Sequence, residues 1–186
     1  HCRRDESSLN STAMPRKEVL DLIQKYVDPF RITKGKGFRL TDFDPGDTCG
    51  LQLDKGEAAE LLQRGTAWLA EEQDMLYAQD RWSLLLVFQA MDAAGKDSCV
   101  AHVMRGVNPQ GCHVTTFKAP SSEELSHDFL WRHAKAVPAR GMIGIHNRSH
   151  YEEVLVVKVH PEYLAGQHLP NVTDPVKVGK AFWEDR

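Results

Sequence analysis

The order of apolar and polar positions along the chain predicts strands that alternate with helices. Residues 84–88 form an uninterrupted apolar run with the length of a buried strand, and residues 112–118 form a second run rich in β-branched side chains. A third apolar run, 142–146, follows chain breaks at Pro138 and Gly141. Because helical segments separate these runs, the pattern predicts an α/β fold with a parallel sheet and right-handed crossovers.

Apolar residues recur at helical spacing before and between the predicted strands. The predicted helices cover residues 15–27, 57–79, 99–107 and 121–136. Ser121 and Glu124 have the spacing of a capping box, which predicts where the last of these helices opens. Residues 154–159 have the composition of a strand, but their position after a polar turn favours a helix.

The sequence suggests three segments with different roles. Residues 1–13 are polar and without periodicity, as in a disordered leader or residues foreign to the natural protein. Residues 14–82 are expected to hold N-terminal helices and a long basic loop, and residues 83–186 the sheet-containing core. The loop carries Lys34, Lys36 and Arg39 within an irregular stretch, and such long stretches are often functional.

Composition narrows the class of protein without naming a function. The 186 residues carry 26 acidic and 23 basic side chains, and this net charge of −3 gives no support for a nucleic-acid or membrane binder. A polyanionic partner would therefore require basic residues gathered locally. The four cysteines show no C-x-x-C spacing, and no signal peptide is visible, so we expect a reducing cytoplasm.

The most informative segment follows the first predicted strand. Residues 92–98, the phosphate loop, read Asp-Ala-Ala-Gly-Lys-Asp-Ser and lead into a helix, as in loops that cradle phosphate with backbone N–H groups and a lysine. The match to G-x-x-x-x-G-K-[ST] is imperfect, because Ala90 holds the first glycine position and Asp97 the hydroxyl position, with Ser98 one place late. The alternative is an ordinary strand-turn-helix joint with an exposed Lys96.

Polar residues follow all three predicted strands, and ligands bind at the carboxyl edge of parallel sheets. The phosphate loop follows the first strand, Lys118 the second, and Asn147 with Arg148 the third. Lys96 is the candidate phosphate clamp, and Arg148 offers a planar cation to a transferring phosphoryl group. A carboxylate among phosphates makes sense with Mg²⁺ between them, so Asp92 is the candidate metal ligand.

Several assignments stay open at this level. Arg148 could instead form a surface ion pair with Glu152 or Glu153. Asp128 and Arg132 are four residues apart in a predicted helix, which is equally typical of an exposed ion pair. The nine histidines show no ligand-like grouping, which favours structural or solvated histidines over a zinc site.

Five strings in this order resemble the second family of polyphosphate kinases. They are residues 87–98, 106–111, 117–121, 127–132 and 147–155, within a resemblance that extends over about residues 15–160. Asn147 in place of aspartate, followed by Arg-Ser-His-Tyr-Glu, is similar to the subgroup that acts on both AMP and ADP. The resemblance implies a P-loop kinase-like, three-layer α/β/α fold related to thymidylate kinase.

The resemblance also implies an activity and a site. It implies an enzyme that transfers the terminal phosphate of inorganic polyphosphate reversibly to AMP or ADP, so that ATP is among its nucleotides. The reaction would use Mg²⁺, with Mn²⁺ as an alternative, and the enzyme would be a homo-oligomer. Carried over by position, the catalytic residues are Asp92, Lys96 and Arg148. The phosphate- and nucleotide-binding residues would be Ala93, Ala94, Gly95, Asp97, Ser98, Lys118, Asp128, Arg132 and Asn147. Polyphosphate would bind near Lys34, Lys36 and Arg39.

Two departures from the family pattern accompany this resemblance. His146 stands where an apolar, often aromatic, residue is expected, and the family continues beyond the position of Arg186 into a helical lid with further arginines. We therefore expect a fragment that binds better than it catalyses. An ATP-dependent nucleoside monophosphate kinase and a lidless nucleotide- or polyphosphate-binding module remain the alternatives.

Overall fold

A computed structural model of the chain describes residues 16–44, 46–48, 50, 52–170, 172–174 and 177–186. Contacts within the chain form two units, one up to Ala58 and one from Ala59 onward. The expectation for residues 1–13 lies outside the described residues. The assignment of separate roles to residues 14–82 and 83–186 stays a prediction.

The first unit is mostly irregular beyond its opening helix, α1 (Arg16–Val27). Two single turns of 3₁₀ helix follow, at Asp28–Phe30 and Leu40–Asp42. The long irregular stretch of the sequence therefore keeps little regular structure. Lys34 and Lys36 are exposed within it.

The second unit contains the sheet and the helices that cover it. Its elements, in chain order, are α2 (Lys55–Gln79, which begins in the first unit), β1 (Leu84–Phe88), α3 (Lys96–Val103), β2 (Cys112–Thr116), α4 (Ser122–Leu125), α5 (Trp131–Lys135), β3 (Ile143–Asn147), α6 (Glu152–Val159) and α7 (Lys180–Asp185). Short 3₁₀ turns lie at Pro109–Gly111 and Pro161–Gly166. Helices that alternate with parallel strands confirm the predicted α/β class.

The strands found in the described part of the chain form a three-stranded parallel sheet in the order β1-β3-β2. Every residue of the central strand β3 is buried, including the polar His146 and Asn147, which is typical of a parallel strand covered on both faces. The register aligns Phe88, Asn147 and Thr116, so all three strands end at the same level. This alignment brings the polar residues that follow each strand to one edge.

The core lies between the sheet and its helices. Val100 of α3 packs with Ile143 and Ile145 of β3, and partly buried apolar residues surround them. These surrounding residues are Leu76, Leu86, Phe88, Met104 and Cys112. Gly144 allows close packing, since a Cβ there would lie 2.8 Å from the Cδ atom of Pro138.

The predicted continuous helix over residues 121–136 is wrong. The capping box at Ser121 and Glu124 is present, but α4 ends at Leu125. Asp128 then accepts a hydrogen bond on its own Oδ1 from the Leu130 N–H, at 2.9 Å. Such a local side-chain contact offers the backbone an alternative to the helix, so α5 starts afresh at Trp131.

One other helix has different bounds from its prediction, and the ambiguous segment near residue 154 is resolved. The helix predicted over 99–107 begins earlier, at Lys96, and ends at Val103, ahead of Gly106 with its positive φ of 93°. The favoured helical alternative for residues 154–159 is confirmed by α6. Within the described part of the chain, every helix is too short or too polar to cross a bilayer.

Candidate active site

The aligned strand ends open into a cleft of about 560 Å³. Its walls come from three places: the phosphate loop after β1, the exit of β2 and the exit of β3. The described lining residues are Asp92, Ala93, Gly95, Lys96, Asp97, Ser98, Thr116, Lys118, Ala119, Asn147 and Arg148. The structure thus brings together nine of the residues named as candidates from the sequence.

The phosphate loop has the backbone of an anion cradle. Gly95 caps α3 with a φ of 86°, and Ala93 also has a positive φ, of 61°. Positive φ is costly for alanine, and it turns successive N–H groups toward one side of the chain. The Lys96 ammonium donates to the carbonyls of Ala90 and Met91, at 2.7 and 2.8 Å. Lys96 is partly exposed and lines the cleft, so its third proton is available to a ligand.

The two carboxylates of the loop contact the exit of β3. Asp92 accepts a short hydrogen bond from the Arg148 guanidinium, and Asp97 accepts one from the Asn147 amide. Arg148 has a φ of 68°, and its backbone N–H donates a hydrogen bond to the carbonyl of Phe88, at 2.9 Å, which extends the pairing of β3 with β1 by one residue. The ion pair with Glu152 is present, because the other guanidinium nitrogen lies 3.7 Å from that carboxylate, and the role of Arg148 toward a phosphoryl group stays a prediction.

Arg132 and Asp128 lie outside the cleft lining given above. Arg132 donates to the backbone carbonyl of Lys118 at 2.8 Å, and it pairs with Glu124 at 3.6 Å rather than with Asp128. Its guanidinium lies 5.4 Å from the centre of the Phe117 ring. Arg132 therefore supports the exit of β2, and a direct contact with nucleotide stays a prediction for both residues.

Three residues at the site, Thr116, Ala119 and Gln89, were missed by the sequence analysis, which had named Glu152 as an alternative ion-pair partner of Arg148. Thr116 and Ala119 line the cleft, and the register of β2 could have indicated them once the strand was placed. Gln89 and Glu152 lie behind Arg148 and hydrogen-bond each other at 2.7 Å. That contact joins residues 63 positions apart, and no local pattern reports it. Lys34, Lys36 and Arg39 belong to the first unit.

A cluster of histidines packs below the exits of β2 and β3. His146 is buried in β3, and its Nε2–H donates to the carbonyl of Ala136 at 3.1 Å. His133 is 5% exposed, lies against the Phe117 ring at 4.0 Å between centroids, and has no hydrogen-bond partner for either ring nitrogen among the described residues. Burial, then Arg132, His150 and His146, lower the pKa of His133 to about 4.

The lowered pKa predicts a loss of stability in mild acid. The unfolded chain takes up a proton at His133 near its ordinary pKa of 6.5, whereas the folded chain resists protonation down to about 4. The free energy of unfolding is therefore unaffected by this group above pH 6.5. It decreases by about 3 kcal/mol as the pH falls from 6.5 to 4. His133→Phe keeps the ring but cannot protonate. The free energy of unfolding of this variant, measured with denaturant, should depend less on pH than that of the wild type between pH 6.5 and 4. An equal dependence on pH in both proteins would contradict a lowered pKa for His133.

The parallel sheet, the phosphate loop and the convergent lysine and arginine define a P-loop kinase-like protein. Comparison with known proteins specifies the family. The family model for Polyphosphate kinase 2 (PPK2) matches residues 52–169. The chain belongs to the polyphosphate kinase 2 family, which confirms the resemblance found in its sequence.

Individual relatives agree with this family. The ADP-polyphosphate phosphotransferase of Rhodopseudomonas palustris is 53% identical over 127 residues, which cover 68% of this chain and 43% of that protein. The AMP/ADP-polyphosphate phosphotransferase of Meiothermus ruber is 44% identical over 130 residues, 70% of this chain and 49% of that protein. The crystal structure of polyphosphate kinase 2 from Arthrobacter aurescens has a TM-score of 0.69 at 42% identity, over 82% of this chain and 50% of that one. The chain thus spans about half the length of these relatives.

Proposed function

We propose that this chain supplies the catalytic cleft of a Mg²⁺-dependent kinase that transfers the terminal phosphate of inorganic polyphosphate to AMP or ADP, in a reversible reaction. The observation that carries the proposal is the convergence of Lys96, Asp92 and Arg148 at one edge of the sheet. The names of the relatives, which include AMP and ADP, support the choice of substrates. Cytoplasmic location and homo-oligomeric assembly stay predictions.

The residues of the cleft suit phosphoryl transfer, which requires positioning and charge neutralisation rather than covalent help from the protein. Lys96 and the N–H groups at the start of α3 would hold phosphate oxygens at a positive helix end. Arg148 would neutralise charge on the transferring group with its planar pair of donors. Asn147 keeps Asp97 oriented through its amide, and Lys118 would add positive charge from the opposite wall.

The cleft also fits a magnesium ion bound together with phosphates. Mg²⁺ commonly takes one or two carboxylates, with substrate oxygens and waters as its other ligands. Asp92, whose side chain is 82% exposed, and Asp97 both line the cleft. Within the described residues no group of three or more metal-binding side chains is assembled. When bound, the ion would neutralise negative charge on the phosphate oxygens of the substrates.

The proposal is tested in the full-length protein with AMP or ADP as acceptor and polyphosphate as the sole phosphate source. We expect ADP and ATP to form only when Mg²⁺ is present. Formation of ADP from AMP with ATP, but not with polyphosphate, would instead favour a nucleoside monophosphate kinase. Binding of both ligands without turnover would favour the non-catalytic module.

Neutralising the basic loop should weaken the use of polyphosphate selectively. Lys34 and Lys36 are exposed, and Arg39 forms an ion pair with Asp42 at 3.4 Å on the surface. An acidic protein must gather basic residues where a polyanion lies. We expect the triple alanine variant to raise the KM for long polyphosphate much more than the KM for nucleotide. Its polyphosphate binding should also depend less on salt, because fewer counterions are released.

The matched control is a triple variant at exposed lysines of the second unit. These are Lys158, Lys177 and Lys180. This variant removes the same charge and should leave the KM for polyphosphate nearly unchanged. Equal effects of both triples, or equal effects on both substrates, would show that the basic loop has no special role in binding polyphosphate.

A further inference from the structure

Arg148 is held by two carboxylates that differ sharply in their surroundings. One nitrogen contacts Asp92 of the phosphate loop, whose side chain is 82% exposed. The other lies 3.7 Å from Glu152, whose side chain is only 16% exposed. Asp92 is therefore free to turn toward another cation, whereas Glu152 is confined where it is.

A chain of hydrogen bonds fixes Glu152 in place. Its Oε1 accepts from the Gln89 amide at 2.7 Å, and the Gln89 Oε1 accepts from the Ser149 hydroxyl at 3.0 Å. Ser149 is fully buried, and its oxygen accepts from the Tyr151 N–H at 3.2 Å. The chain ties Glu152 to the exits of β1 and β3, the two strands whose ends carry the phosphate loop and Arg148. Glu152 also lies in the first turn of α6, where the helix dipole favours its negative charge.

The neighbouring carboxylate has a different task. Glu153 is buried and pairs with Arg186 at 2.9 Å, and it accepts a hydrogen bond from Gln167 at 3.0 Å. This contact joins α6 to the end of α7, and neither partner lines the cleft. Two adjacent glutamates therefore serve separate parts of the molecule, and the second provides a natural control for the first.

We propose that Glu152 is a positioning residue that keeps the Arg148 guanidinium aimed into the cleft during phosphoryl transfer; this inference rests on the proposed function. When Asp92 engages a bound cation, Arg148 loses its partner on the phosphate loop. Glu152 still holds one guanidinium nitrogen, so the other is presented to phosphate oxygens. Without the negative charge of Glu152, Arg148 closes more tightly on Asp92, and both are withdrawn from the substrates.

Glu152→Gln tests this role with little change to the surrounding contacts. A glutamine oxygen can still accept from Gln89, so the substitution removes the charge that faces Arg148 and preserves the hydrogen-bond chain. In the full-length protein we expect kcat with polyphosphate and ADP to fall about 10- to 100-fold, as for other small misplacements of a catalytic group. The KM for polyphosphate should change little. Glu152→Asp, which keeps the charge, should recover part of kcat.

The control is Glu153→Gln, assayed below its own unfolding midpoint. It breaks a buried ion pair, so we expect a lower melting temperature with kcat close to the wild type. Glu152→Gln should show the opposite: a large change in kcat and a small one in melting temperature. A fall in kcat of the same size in both variants would overturn the proposal, because it would indicate a general loss of structure around α6.

A double-mutant cycle separates positioning from support of the fold. If Glu152 acts through Arg148, Glu152→Gln should cost no further activity once Arg148→Ala is present. A full additional loss in that background would overturn the proposal. Should Glu152→Gln fail to fold, the same cycle is run with Glu152→Asp, with the same expected and contradicting results.

A second readout does not depend on turnover. The side-chain Nε–H signal of Arg148, identified by its loss in Arg148→Ala, should shift in Glu152→Gln and stay unchanged in Glu153→Gln. An unchanged signal in Glu152→Gln would overturn the positioning role. If the wild type transfers no phosphate from polyphosphate, the proposed function fails, whereas the NMR comparison still decides whether Glu152 orients Arg148.

Discussion

Lys96→Ala is expected to lower the rate of phosphoryl transfer by about 10²–10³-fold, which is typical for the loss of one preorganised charge donor. Lys96 serves the cleft and not the core, since it lines the cleft and its ammonium donates only to two loop carbonyls among the described residues. The substitution should therefore leave the melting temperature within a few degrees of the wild type. The measurement is single-turnover transfer from polyphosphate to ADP in the full-length protein.

Lys158→Ala is the matched control for this experiment. Lys158 is an exposed lysine of α6 outside the cleft, so its removal changes net charge by the same amount without touching the phosphate loop. Transfer in this variant should stay near the wild-type rate. If Lys96→Ala and the control both transfer phosphate at near the wild-type rate, the phosphate loop does not contribute to catalysis through Lys96.

Asp92→Asn is expected to reduce the rate by about 10²-fold and to raise the Mg²⁺ concentration that gives half-maximal activity. An uncompensated carboxylate beside bound phosphates repels them, so its position is tolerable only with a cation close by. In the structure that cation is Arg148. The amide of asparagine can still accept a hydrogen bond from Arg148, but it is a much weaker ligand for Mg²⁺. The measurement is a Mg²⁺ titration of initial rates at saturating substrates.

Asp74→Asn, at an exposed position of α2, controls for the change in net charge. It should shift neither the rate nor the Mg²⁺ midpoint. If Asp92→Asn gives the same midpoint and rate as this control, Asp92 is a structural turn residue whose partner is Arg148 alone.

The sheet and the convergence of the cleft were predictable because their signals are local. Apolar runs bounded by turn residues marked all three strands, and polar residues followed each of them directly. The parallel register then needs only the general rule that such strands end at one edge. The fold class and the family were therefore both available from the sequence.

The sequence-based predictions failed where a side chain competes with the backbone for hydrogen bonds, or where two hydrogen-bonded residues are distant in sequence. Asp128 lies within a helical pattern, yet it follows the end of α4, and its Oδ1 accepts a hydrogen bond from the Leu130 N–H in the turn ahead of α5. The pairing of Gln89 with Glu152 depends on the register of β1 against β3, which no spacing in the sequence reveals. His146 looked like a departure from an apolar position, and its contact with Ala136 explains how an imidazole is tolerated there.

The strand order has a consequence for how the molecule assembles during synthesis. β1 leaves the ribosome first, but its partner is β3, the last of the three strands, and β2 has the same partner. Neither outer strand can join the sheet until β3 inserts between them, as Leu84 and Cys112 both pair with Ile143. Such long-range pairing is slow to form. The phosphate loop and the exit of β2 therefore gain their geometry in one late step, together with Asn147 and Arg148.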